Sequence, residues 1–237
     1  MVELSVIIPV YNEADSLPQL QEELGRTLAP YAHELIFVDD GSTDRSRERI
    51  NREPNVRVLA FERNSGQSAA MYAGLMAAHG RILVLIDSDL QNDPADIPRL
   101  LAQIDAGADL VCGYRAKRKD TWFKRVQSRI ANGVRSRFTG DGVRDTGCTL
   151  KAMRAECREA LVLFYGMHRF IPALIKGLGY KVVEIPVNHR PRRHGVSKYT
   201  FGARAVRATV DMFGVRWLVS RQVRIRFKPA GPGSQAG

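Results

Sequence analysis

The sequence predicts an α/β protein built on a mostly parallel, doubly wound central sheet flanked by helices. Three observations carry that prediction. Strand and helix patterns alternate through the first half of the chain, as repeated strand–helix–strand units do. The first strand candidate, residues 4–10, is a short apolar run that ends at a loop, the pattern of a strand covered on both faces. Three strand candidates end in polar segments, Tyr11-Asn12-Glu13, Asp39-Asp40-Gly41-Ser42 and Asp87-Ser88-Asp89. Open α/β sheets bind ligands beyond such carboxyl ends.

Taken in order, residues 4–10 are the first strand, stopped at Tyr11-Asn12-Glu13. Residues 14–28 read as a helix, because Leu17, Leu20, Leu24 and Leu28 recur every three or four positions. Residues 34–38 are the second strand and the polar stretch 43–52 the next helix. Residues 56–61 are the third strand. The Ala- and Met-rich stretch 67–79 is a helix capped by Gly80. Residues 81–86 are a fourth strand that delivers Asp87 and Asp89 at its end. Residues 94–106 are helical and 109–113 are a fifth strand. Further on, 122–138 reads as a basic helix and 145–151 as a loop feeding a strand. Residues 154–163 and 170–178 read as helices, 180–187 as a strand and 189–199 as a polar, basic loop. Residues 200–219 resemble an amphipathic helix with Val206, Val210, Phe213 and Trp217 along one face. The expected organisation is one α/β domain over 1–199, a basic amphipathic helical appendage over 200–228, and a disordered Pro/Gly/Ser-rich tail over 229–237.

With 44% apolar and 26% charged residues the composition is that of a globular domain, not of a disordered or fibrous chain. The net charge of +11 is unevenly spread. Residues 1–112 hold 9 Lys and Arg against 18 Asp and Glu, whereas residues 113–237 hold 27 against 7. The basic half favours polyanionic partners: nucleic acid, anionic lipid or phosphorylated substrates. The acidic half suits a cation. Cys112, Cys148 and Cys157 follow no pairing pattern, which reads as reduced thiols in a cytosolic protein. The first apolar run follows Glu3 and is a strand, not a signal peptide. No run approaches the ~18 apolar residues of a membrane span.

Asp87 and Asp89, with the carboxamide of Gln91, supply hard oxygen ligands for Mg²⁺ or Mn²⁺; a plain turn that caps the next helix is the alternative. Pro9 to Glu13 and Asp39 to Asp44 offer carboxylates to a base edge or to ribose hydroxyls, or serve as turns and N-caps. Arg63-Asn64-Ser65-Gly66-Gln67 stands at a helix start, where backbone N–H groups can face a nucleotide. His168, His189 and His194 receive no role, because nothing sets them against a nucleophile.

The order V-I-I-P-V-Y-N-E, V-D-D-G-S-T-D, R-N-S-G-Q, D-S-D-L-Q-N-D-P, D-T-G-C and H-x-x-R-x-x-G-x-S-K-Y closely resembles family 2 glycosyltransferases of the Rossmann-like GT-A fold. Within them it looks like the dolichol-phosphate mannose synthase and polyprenyl-phosphate glycosyltransferase group. The likeness runs from about residue 3 to 200. It implies that Pro9, Tyr11, Glu13 and Asp39 hold the nucleoside, with Asp40, Gly66 and Ser88 in the same donor site. It implies that Asp87, Asp89 and Gln91 hold Mg²⁺ or Mn²⁺, with Asp89 close to the sugar diphosphate. Arg115 and Arg129 would hold a lipid phosphate. Arg192, Ser197 and Lys198 would form an acceptor loop over the diphosphates. Many bacterial relatives carry membrane-spanning helices after this domain, whereas this sequence ends in a short basic segment.

The expected reaction is therefore inverting, metal-dependent transfer of a hexose from GDP-mannose or a UDP-sugar to a dolichyl or undecaprenyl phosphate. The alternative is transfer to a sugar hydroxyl of a glycan or glycolipid, which calls for a carboxylate base; the E-D plus Q-x-x-R-W pairing of many processive relatives is not found. A nucleic-acid partner is not expected, for want of a recognition motif. A dead sugar-nucleotide binder is disfavoured by the intact Asp87, Asp89 and Gln91. Arg204, Arg207 and Arg216 flank the apolar face of the last helix, and Arg221, Arg224, Arg226 and Lys228 follow. Such a stretch lies on an anionic membrane surface without crossing it, or packs on the domain or on a second subunit. The expected location is cytoplasmic, peripheral at the inner face of the membrane.

Overall fold

Apolar runs that must be covered on both faces pair side by side and take helices above and below. The computed structural model describes residues 2–116, 133, 135–191 and 201–223, with the backbone alone for 201–208. Its strands are β1 (Leu4–Val10), β2 (His33–Asp39), β3 (Val56–Ala60), β4 (Ile82–Leu85), β5 (Leu110–Arg115), β6 (Lys151–Arg154) and β7 (Val182–Val187). They form one sheet in the order β3-β2-β1-β4-β6-β5-β7. Neighbours are parallel except at β6, which runs antiparallel to β4 and β5. The GT-A, mostly parallel expectation is thus borne out.

The helices are α1 (Leu17–Leu28), α2 (Gln67–Ala77), α3 (Ile97–Asp105), α4 (Ile171–Gly177) and α5 (Phe201–Arg221). Side chains alternate along each strand, so one face of β1 (Val6, Ile8, Val10) packs under α1 and α3. The other face, through Ile7, packs under α2 and α4. Chain order reverses between β1 and β4: β1 leads through β2 to β3, and α2 returns the chain to β4 on the other side. Open sheets form their binding crevice at such a switch point.

Several elements differ from expectation. The helix expected over 43–52 is only a 3-10 turn, Ser46–Arg49. That stretch has no apolar face to bury, and its polar groups find other partners: Ser46 Oγ donates to Asp44, and the Thr43 backbone N–H donates to the Asn12 side chain after β1. The stretch 154–163 likewise gives a 3-10 segment, Ala155–Ala160. Gly80 does not cap α2, which ends at Ala77. It lies where the chain crosses β1, and a Cβ there would stand 2.6 Å from the Ser5 nitrogen. The basic helix expected over 122–138 falls largely outside the described residues, with 135–138 helical. Arg129, Arg192, Ser197 and Lys198, and the tail 229–237, also lie outside them.

Helix α5 has two apolar faces. Met212, Val215, Leu218 and Val219 pack into the core. Val210, Phe213 and Trp217 point outward, each at least 60% exposed. Phe213 meets Phe138 edge-on, with ring centroids 4.9 Å apart. Among the described residues no helix is long and apolar enough to cross a membrane.

Candidate active site at the sheet switch point

The site is assembled by strand ends. Pro9, buried, is the penultimate residue of β1, and its carbonyl accepts the Ser88 hydroxyl at 2.9 Å. This bond ties the segment after β4 to the end of β1. Tyr11 follows, exposed, and Glu13 is half-buried, its N–H donating to Ser46 Oγ at 2.8 Å. Asp39 ends β2 and accepts the Ser42 N–H at 3.0 Å. Pro9, Tyr11, Glu13 and Asp39 thus lie together at the carboxyl ends of β1 and β2.

Asp40 is buried and accepts the N–H groups of Ser65 (2.6 Å) and Gly66 (2.9 Å). Both of its oxygens organise the turn that starts α2. Burial raises its carboxyl above the ordinary value, with neighbouring Asp39 adding to it against those two N–H bonds. Gly41 has φ +69°, and a Cβ there would stand 2.6 Å from the Arg63 carbonyl carbon. Only glycine lets the β2 turn approach the 63–66 loop so closely.

Asp87 receives the Gln67 amide at 2.8 Å. Burial first, and the Asp89 carboxylate second, push the Asp87 carboxyl up to about 6, against the opposing pull of the Thr149 hydroxyl, Lys151 and Gln67. Asp89 accepts the Gln91 N–H at 3.1 Å. Between them Leu90 is buried at φ +62°, a left-handed conformation that L side chains rarely adopt. An Asp87 carboxyl whose ionisation is opposed by burial and by Asp89, with a carboxamide two residues beyond Asp89, makes a donor set that a divalent cation relieves. Among the described residues no third His, Cys, Asp or Glu joins them. That suits Mg²⁺ or Mn²⁺, which take one or two carboxylates and complete their shell with water and phosphate oxygens.

Beyond β4 stands a basic flank. Arg115, at the end of β5, forms a two-pronged pair with Asp145 at 2.7 and 2.8 Å. Burial alone would raise the Asp145 carboxyl, but Arg115 outweighs it and holds it below the ordinary value. Lys151 sits in β6 in register with Leu85 and Cys112, is 2% exposed, and donates to the Cys148 carbonyl. Its charge favours ionisation of both Asp87 and Asp145. The three cysteines are buried and free. Burial pushes the Cys112 and Cys157 thiols up to about 12, as poor nucleophiles. His168 contacts the Ser68 hydroxyl at 2.8 Å, and that oxygen also accepts the Gly166 N–H. The 166–168 turn is thereby fixed to the start of α2.

Sequence reasoning assigned no role to Lys151, to the Asp145–Arg115 pair or to the Gln67–Asp87 bond. Lys151 was detectable as a lone cation closing the apolar end of D-T-G-C-T-L-K. The pairings join residues 20 and 30 positions apart, with no local signal.

The family model described as Glycosyl transferase family 2 matches residues 5–161. This chain belongs to glycosyl transferase family 2. It is 39% identical over 234 residues to the dodecaprenyl-phosphate galacturonate synthase of Rhizobium johnstonii, covering 94% of this chain and 69% of that protein. It is 42% identical over 206 residues to the undecaprenyl-phosphate 4-deoxy-4-formamido-L-arabinose transferase of Edwardsiella ictaluri, covering 83% of this chain and 62% of the relative. The fold is shared with glucosyl-3-phosphoglycerate synthase of Mycobacterium tuberculosis, solved with Mn²⁺, UDP and phosphoglyceric acid. That match has a TM-score of 0.69 at 21% identity and covers 91% of this chain and 78% of the other. The sequence-derived placing among polyprenyl-phosphate glycosyltransferases agrees with the relatives' names.

Proposed function

We propose that this chain catalyses metal-dependent, inverting transfer of a hexose from a nucleotide sugar, GDP-mannose or a UDP-sugar, to a polyprenyl phosphate. The observation that carries the proposal is the pair Asp87 and Asp89 at the switch point, with the Asp87 carboxyl raised to about 6 beside its neighbour. The names of the two relatives support the acceptor class, and the Mn²⁺–UDP complex of the shared fold supports the donor class.

The nucleoside would lie on the rim of Pro9, Tyr11, Glu13 and Asp39. Asp87, Asp89 and Gln91 would hold Mg²⁺ or Mn²⁺, which when bound neutralises charge on the departing diphosphate. An acceptor phosphate oxygen attacks the anomeric carbon as the bond to the diphosphate oxygen breaks. A phosphate monoester with its second pKa at ~6 is largely ionised at neutral pH and needs no strong base. It does need cations beside another anion. Arg115 is one on the described flank, and Arg129, Arg192 and Lys198 are proposed for the same task. The outward Val210, Phe213 and Trp217 of α5, with Arg216 and Arg221, would rest on an anionic membrane surface.

A donor and acceptor panel tests the reading. GDP-mannose, UDP-hexoses, a UDP-hexuronate and a UDP-4-deoxy-4-formamido-arabinose are each paired with polyprenyl phosphates and with glycolipid acceptors, with Mn²⁺ or Mg²⁺. Consumption of a donor only with polyprenyl phosphate is expected, and turnover only with sugar hydroxyls overturns the acceptor class. Co-sedimentation with anionic vesicles, lost on changing Phe213 and Trp217 to Ser, checks the membrane contact.

A further inference from the structure

The segment that carries the metal ligands is strained, and something must hold it. Leu90 adopts φ +62° between Asp89 and Gln91, a left-handed conformation that costs a non-glycine residue free energy. Burial of the Leu90 side chain in the core offsets part of this from below. From above, the segment is gripped by residues 188–190. The Arg190 N–H donates to the Gln91 carbonyl at 2.9 Å, and Asn92 and His189 form an antiparallel bridge. The Arg190 side chain then fastens the grip at two points. One guanidinium nitrogen reaches both oxygens of Glu23 on α1, at 3.0 and 2.8 Å, and the other reaches Asp93 at 2.7 Å. Glu23 is itself held by the Gln19 amide at 2.8 Å. One residue before His189, the Asn188 N–H donates to buried Asp96, three residues beyond Asp93, at 2.6 Å.

We infer that Arg190 is a positioning residue for the metal site: it braces the Asp89–Gln91 segment between α1 and the strand-like stretch after β7, so that the Gln91 carboxamide is presented in place before the cation arrives. The inference rests on the proposed metal role of Asp87, Asp89 and Gln91. Arg190 is joined to the segment through the Gln91 carbonyl and Asp93, and acts through them. Lysine cannot replace it, because a single ammonium cannot span Glu23 and Asp93 in a planar fork.

The test is Mn²⁺ binding to the full chain without sugar donor, followed by the free-ion electron paramagnetic resonance signal. It is paired with amide hydrogen exchange over residues 89–93. Arg190→Met and Arg190→Lys are each expected to raise the Mn²⁺ dissociation constant about tenfold, as loss of an outer-shell partner does, and to speed exchange at Gln91 and Asn92. Glu23→Gln removes one of the two anchor points and is expected to give about half that effect on a logarithmic scale; it serves if both Arg190 variants fail to fold. Asp89→Ala separates the two readings. If Asp89→Ala abolishes Mn²⁺ binding and every brace variant binds like the wild type, the brace inference is overturned alone. If Asp89→Ala binds Mn²⁺ as the wild type does, the metal reading falls and the brace with it. A lower melting temperature with an unchanged Mn²⁺ constant marks Arg190 as merely structural and also overturns the inference.

Discussion

The two ends of the sheet each draw a carboxylate in from the surface, Glu34 buried and Asp87 half-buried, and they treat it in opposite ways. At the amino end Glu34 is 4% exposed and fully engaged. It takes the Ser5 hydroxyl at 2.6 Å, the His79 N–H at 2.8 Å and Arg57 at 3.0 Å. Burial alone would raise its carboxyl, yet these partners hold it below the ordinary value. At the carboxyl end Asp87 also has partners, but burial first and a second carboxylate beside it raise its carboxyl to about 6 despite them. A folded chain can satisfy a buried acid completely, as Glu34 shows. That it leaves Asp87 against Asp89 marks the carboxyl end as built for something from outside, since perturbed acids cluster at functional sites.

The comparison breaks most sharply with paired substitutions. Asp89→Ala is expected to lower kcat/KM at least about 10³-fold, because a bound cation contributes several kcal/mol to charge stabilisation. The urea midpoint of the metal-free protein should hold or rise, since a like charge is removed. Glu34→Ala should do the reverse. Removing it leaves Ser5, the His79 N–H and Arg57 without their shared acceptor, and leaving a buried donor unsatisfied costs about 1–3 kcal/mol. Turnover per folded molecule should stay at the wild-type level. Steady-state kinetics and urea unfolding on both variants decide; a stability loss in Asp89→Ala equal to that in Glu34→Ala would erase the distinction.

The same contrast gives opposite pH signatures. Glu34 has a lowered folded value, so its stabilisation is present above the ordinary 4.5 and is lost as pH falls through the folded value. Asp87 has a raised folded value, so between 3.8 and about 6 the folded state keeps a proton that the unfolded state has shed. Stability from this group therefore falls as pH rises through that window, by about 2–3 kcal/mol. With chelator present, Asp87→Asn should remove the fall and be about 2 kcal/mol more stable than wild type at pH 7. Saturating Mn²⁺ should flatten the wild-type profile. Urea titrations from pH 4 to 7 measure both.

Much of this arrangement is written in local sequence. The apolar runs that become β1 and β4 are buried along their whole length, the outcome that runs without a charged side chain dictate, whereas β3, which carries Arg57, is an edge strand that stays partly open to water. The segments after β1, β2 and β4 were placed at one edge by the parallel rule alone. What was not legible depends on distance. Lys151–Arg154 is four residues long with no clear period, so nothing local says that it inserts antiparallel between β4 and β5. The pairings of Arg115 with Asp145 and of Arg190 with Glu23 join residues 30 and 167 positions apart. A two-pronged ion pair leaves no trace in periodicity. The outer face of α5 was legible as apolar, but its second apolar face was not, because Met212, Val215 and Val219 interleave with Val210, Phe213 and Trp217 around the same turns.

Asp145 is where the comparison becomes most informative. It lies at the carboxyl end, yet like Glu34 it is satisfied: Arg115 grips both of its oxygens and holds its carboxyl low. If satisfied acids are only structural, Asp145→Asn should lower stability and leave kinetics alone. If the pair instead aims Arg115 at an acceptor phosphate, the amide keeps the shape but loses the second charge-assisted bond, and the guanidinium wanders. The expected result is an acceptor KM raised about three- to tenfold, the 1 kcal/mol scale of one such bond. The donor KM should stay within about twofold. Arg115→Lys should match it, since an ammonium cannot reproduce the two-pronged contact. Initial rates with acceptor varied at saturating donor make the measurement. An acceptor KM that does not move in either variant would class Asp145 with Glu34 and leave the phosphate to other cations of the basic half.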